Sequence, residues 1–162
     1  MFVFSFKSKK MIIFIAVWLA VVIGIISFFV ISNRNKDVVD GSGINYSASN
    51  AQERVAFLSQ FGWKVNEDPV EVSEIIIPSE FNDTYEAYND LQKKQDLDLE
   101  PYEGVRAKKW VYRIENYPDK PVESNDIRAT LIVYENIVIG GDISSMETGG
   151  FMQGFAYPAL SS

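Results

Sequence analysis

Apolar positions change their spacing several times along this chain, and each change marks an element. The first run has no spacing at all: Met11–Ile31, MIIFIAVWLAVVIGIISFFVI, is apolar throughout and carries no charge. As a helix rising 1.5 Å per residue it would extend about 30 Å, the thickness of a bilayer's hydrocarbon core. A helix can cross there alone because it satisfies its own backbone groups. The run exceeds the apolar stretch of about 7–15 residues in a signal peptide, and SFFVISNRNK offers no small-x-small cleavage site. An uncleaved signal anchor is therefore expected, preceded by a basic segment, residues 1–10. Residues 32–49, rich in Ser, Asn and Gly, read as a flexible tether.

Periodic patterning begins near Ser49, which places a single small domain over residues 50–155, followed by a tail over 156–162. In Asn50–Phe61, NAQERVAFLSQF, Ala51, Val55 and Leu58 fall at helical spacing. Ser49 with Gln52, or Asn50 with Glu53, forms a capping-box pattern, and Gly62 suits a left-handed C-cap. Trp63–Val65 could open a strand. VEVSEIII, residues 70–77, first alternates and then turns apolar, as a strand does. A second helix is expected over Pro78–Gln95, with Phe81, Tyr85, Tyr88 and Leu91 as one apolar stripe. Three strands follow: Val105–Glu115, Ile127–Tyr134 and Ile137–Ser144. Glu135-Asn136 supplies a hairpin turn between the last two. The order α-β-α-β-β-β predicts an α+β domain of two layers, a mostly antiparallel sheet packed on helices, behind an N-terminal transmembrane helix.

Charge refines the setting. Lys7, Lys9 and Lys10 precede the apolar run, and Arg34 and Lys36 follow it, which favours a cytoplasmic N-terminus by three to two. All 22 acidic residues lie at or beyond Asp37, against 10 of the 15 Lys and Arg, so that part carries 10 − 22 = −12. Such a domain is repelled by nucleic acid, which is not an expected partner. The chain has no Cys and no His. That removes disulfides, thiol nucleophiles, His-dependent triads and the usual zinc and copper ligands.

The stretch with most scope for chemistry is Ile137–Phe155, IVIGGDISSMETGGFMQGF. Gly149 and Gly154 have P-loop spacing, but Phe155 and Ala156 stand where Lys and Ser/Thr would meet phosphate and magnesium. The stretch therefore reads as a strand end and loop. Its candidate role is an interaction surface formed by Gly140, Gly141, Asp142, Phe151 and Phe155. Asp96-x-Asp98-x-Glu100 begins like a calcium loop, but Pro101 occupies the glycine position and Ala107 the bidentate glutamate position. Arg106, Lys108, Lys109, Arg113 and Arg128 lie on neighbouring strands, where pairing with acids across the sheet is the simplest use. No catalytic, cofactor-binding or metal-binding residue is assigned.

Four segments, FGWKV at Phe61–Val65, IPSEFNDTYEAYNDLQKKQ from Ile77, YEGVRAKKWVYRIENYP from Tyr102 and the glycine-rich stretch from Ile137, together resemble an uncharacterised bacterial family, domain of unknown function 4830. The resemblance covers roughly residues 53–155. It implies a short, membrane-anchored envelope protein and brings no cofactor or catalytic residue. The expected protein is single-pass in the plasma membrane, held in the bilayer by Met11 to Ile31. It displays an extracytoplasmic binding or sensory domain to another envelope protein or a cell-wall component. The alternative is a carboxylate-dependent envelope hydrolase, or a regulator of one, with Asp142 as first suspect.

Overall fold

The computed structural model describes residues 43–118 and 126–158. The apolar run Met11–Ile31 lies outside them, and among the described residues no helix is long and apolar enough to cross a membrane. Helix α1 is Ala51–Gln60. Asn50 caps it, accepting from the Glu53 amide at 2.9 Å, while a Glu53 carboxylate oxygen accepts from the Ser49 amide at 2.7 Å. The helix ends where Gly62 takes φ +92°, with the Gly62 amide on the Ser59 carbonyl and the Trp63 amide on that of Leu58. Those two bonds form a Schellman motif.

Helix α2, Asp83–Lys93, is shorter than the apolar stripe predicts. The Asn82 side chain accepts from the Tyr85 amide and fixes the first turn there, so Pro78–Phe81 lie ahead of the helix. The buried face also differs from expectation. Phe81, Tyr85, Tyr88 and Leu91 are half-buried, whereas Asn89 and Gln92 are fully buried.

The sheet is a meander in sequence order: β1 (Glu71–Ile76), β2 (Arg106–Arg113), β3 (Ile127–Tyr134), β4 (Ile137–Ser145) and β5 (Met152–Gln153), all antiparallel. The β3–β4 turn places Glu135 at φ +47° and Asn136 at φ +69°, the left-handed pair that a two-residue hairpin requires. The register shifts beside Ile132 and Val133, where Val133 faces Val138 and Ile132 faces Gly140, leaving Ile139 as a bulge. Trp63–Val65 contributes only a bridge, Val65 to Ile114.

Side chains alternate across the sheet, and each face has its own core. On one face Tyr112, Ile114, Leu131, Val138 and Ile143 pack with Phe57 and Leu58 of α1. On the other, Ala107, Ile132 and Ile139 pack with Ile77 and Leu99, beside Tyr85 and Tyr88 of α2. The two helices thus cover opposite faces, giving three layers where two were expected. Alternating burial fixes which strand residues share a face, but it does not say which helix takes which face.

The fold also begins earlier than the sequence pattern suggests. Residues 45–48, assigned to the tether by composition, lie along β4. Tyr46 and Ala48 are buried, and Ser47 bridges Ile137. At the other end, Tyr157 packs on Trp63 and donates from its hydroxyl to the Asn116 carbonyl at 2.7 Å.

Candidate functional site

Gly140, Gly141 and Asp142 sit in the middle of β4, and all three are buried, as is Phe155. Phe151 is half-buried and stacks on Tyr117 at 5.2 Å between ring centroids. The stretch chosen from sequence therefore does not form one exposed surface. Its glycines instead let other elements approach the strand closely. A Cβ on Gly141 would lie 2.1 Å from the Thr130 carbonyl oxygen and 2.6 Å from the Phe155 ring, so only glycine fits there.

Two glutamines from the end of α2 use that approach. The Gly141 amide donates to Gln92 Oε1 at 2.8 Å, and the Gly141 carbonyl accepts from Gln95 Nε2 at 2.9 Å. Gln95 Oε1 accepts from the Phe155 amide at 2.8 Å, and Gln95 also donates to Gln92. An amide side chain carries the same donor and acceptor as a peptide, so the pair stands in for a missing strand neighbour. Trp63 completes the junction by donating from its indole to the Phe155 carbonyl at 2.6 Å. The Phe-Gly-Trp corner, the LQKKQ helix end and the Gly-Gly-Asp strand, far apart in sequence, converge here. On the helix side, the i, i+3 spacing of Gln92 and Gln95 is the sequence trace of this clasp; on the strand side it is the glycine pair.

Asp142 points from β4 towards α2. Its Oδ2 accepts from the Tyr88 hydroxyl at 3.1 Å, while its Oδ1 is buried without a hydrogen-bond partner. Burial raises the carboxyl above the usual Asp range; Ser144, Tyr88 and, at longer range, Lys109 pull the other way without cancelling it. The Tyr88 hydroxyl is raised in turn, mainly by burial and then by the Asp142 charge. Beside Tyr88 runs an open, mostly apolar groove of about 540 Å³ between α2 and β5. Thr84, Tyr85, Ala87, Tyr88 and Leu91 line it along α2, with Lys94 just beyond the helix end and Met152 opposite. Tyr85 and Tyr88 meet edge to face at 5.9 Å.

The remaining candidates have structural roles. Asp98 accepts from the Asn89 side chain at 2.9 Å and from the Glu100 amide at 3.0 Å, and Glu100 pairs with Lys93. Among the described residues no group of three acids gathers as a metal cluster. Arg106 pairs with Glu74 at 3.0 Å and Lys109 with Glu71 at 2.7 Å across the β1–β2 ladder. Such exposed pairs add little to stability, because water and salt screen them.

An antiparallel five-stranded meander with one helix on each face defines an α+β domain, and three of the four segments that carry the resemblance meet at a single clasp. Residues 57–143, more than half the chain, match the family model described as Domain of unknown function (DUF4830), and the chain belongs to that family. No curated protein and no solved structure matches it.

Proposed function

We propose that the chain is a single-pass membrane protein that displays this domain outside the cell as a binding or sensory module. Met11–Ile31 serves as the anchor, and the groove beside α2 takes the partner. The observation that carries this reading is the groove itself: an open apolar trough floored by two tyrosines, Leu91 and Met152. Aromatic side chains with a polar tip suit such sites, because one surface offers both apolar contact and a hydroxyl. Lys94 at the groove's end would meet an anionic group on the partner, another envelope protein or a wall component. A photo-crosslinking residue at Leu91 of the full-length protein in cells tests this, with one at exposed Glu80 as control. Capture specific to Leu91 is expected. Equal capture at both positions, or none, would remove the groove from consideration.

A second reading, a carboxylate-dependent hydrolase or a regulator of one, is favoured by one observation, the buried and raised carboxyl of Asp142. The groups that act on that carboxyl include no second carboxylate. The readings separate on Asp142→Asn: a hydrolase would lose turnover, whereas the binding module would retain its capture through Leu91.

A further inference from the structure

The two edges of the sheet are finished differently. The outer edge of β4 is covered along its length. The Ala48 amide donates to the Asn136 carbonyl and the Val138 amide to that of Tyr46, the glutamines take Gly141, and β5 pairs with Ile143 and Ser144. β1 pairs with β2 on one side, and on its other side nothing among the described residues pairs with it. Proteins discourage pairing at an open edge with charged side chains, lysine above all, an internal proline or a bulge; Glu71–Ile76 has no lysine, proline or bulge, and its two glutamates are held by Lys109 and Arg106 on β2. Val72 and Ile76 are 50% and 60% exposed on the α1 face, and Val70, 54% exposed, stands just ahead of the strand.

The Ile77 amide donates to the Val105 carbonyl. By the alternation of an antiparallel ladder, Val72, Glu74 and Ile76 turn their backbone groups outward. We propose that β1 pairs antiparallel with β1 of a second copy, about a twofold axis through Ser73, joining two five-stranded sheets into one. The charge pattern selects this occupant and this register. With Ser73 on the axis, Val72 faces Glu74 on the α1 face and Glu71 faces Ile75 on the other, while the Val70 amide stays on the Val111 carbonyl of β2 and marks the end of the new ladder. Glu71 and Glu74 keep their cations on β2, and no like charges oppose. Moving the axis to Glu74 would set that carboxylate against itself, and moving it to Val72 would set Ile76 against Asp68. An isologous contact closes as a dimer rather than growing into a filament. The groove beside α2 has no part in this contact, so either proposal can fail without the other.

The chain has no cysteine, which makes the test direct. Full-length Ser73→Cys is oxidised mildly in native membranes. The axis would bring the two residues to about 4.5 Å between Cα atoms, within the disulfide range of about 4.4–6.8 Å. A crosslinked dimer should form in high yield. Ile76→Cys alone should give none, because its own counterpart would lie about 20 Å away. Co-expressed Glu71→Cys and Ile75→Cys chains should crosslink to each other. Adding Val72→Glu to Ser73→Cys, which sets a carboxylate against Glu74 on both sides of the axis, should cut the yield about fivefold or more. A maleimide-reactive but monomeric Ser73→Cys protein would overturn the proposal, as would equal crosslinking at Ser73 and Ile76.

Discussion

At the scale of single residues, Asp142 and Gln92 make opposite predictions. Asp142 has one carboxylate oxygen without a partner and a pKa above its unfolded value. Its proton therefore favours the fold. That stability is fully present below the unfolded pKa of about 3.9 and is lost as pH rises through the folded value. Asp142→Asn keeps an acceptor for Tyr88 and removes the charge. Its melting temperature relative to wild type should rise as pH increases from the unfolded value until the folded one is passed, as thermal melts at stepped pH would show. A flat or falling difference would mean that Asp142 is stabilised as the anion. Gln92 is the reverse case, a buried polar group whose oxygen accepts from both the Gly141 amide and Gln95. Gln92→Leu leaves the Gly141 amide without an acceptor and should cost about 1–3 kcal/mol in urea denaturation.

Elements were legible to different depths. Glu135-Asn136 announced its hairpin because a two-residue turn demands left-handed backbone and Asn tolerates it. Replacing the pair by Asn-Gly should raise the denaturation midpoint by about 0.5–1 kcal/mol equivalent, since Glu135 holds φ +47° without being Gly or Asn. The three long strands were readable from β-branched alternation, and the first helix from its cap. The second helix was misjudged at its start and on its face. Hydrophobic periodicity counts Gln92 and Asn89 as polar and sends them outward, whereas buried backbone that needs a partner, the Gly141 amide on the strand edge for Gln92 and the Leu99 amide in the following loop for Asn89, draws them inward. The bulge at Ile139 left no trace in the pattern, since an extra apolar residue in IVIGG looks like its neighbours. Of the candidate site, the Gly-Gly-Asp strand was found because glycines in a strand mark close approach. What approaches it was not legible, because the partner lies 46 residues away in the chain.

Across the whole molecule, charge and shape set the terms of association. The chain beyond Lys36 carries −12, so two copies repel at long range. If β1 pairs with β1, added salt should favour the pair. Raising ionic strength shortens the screening length from about 30 Å at 0.01 M to about 8 Å at 0.15 M, and the crosslinked fraction should rise with it. The mixed covering of β4 has a different consequence, in the time domain. The Val138 amide is held by Tyr46 from the N-terminal segment, that of Gly141 by a side chain of α2, and that of Ser145 by Phe151 from the loop before β5. Hydrogen exchange at these three amides, all in one strand, would report three separate openings. Fast exchange at Gly141, with Val138 and Ser145 still protected, would be the signature of α2 lifting from an otherwise intact sheet.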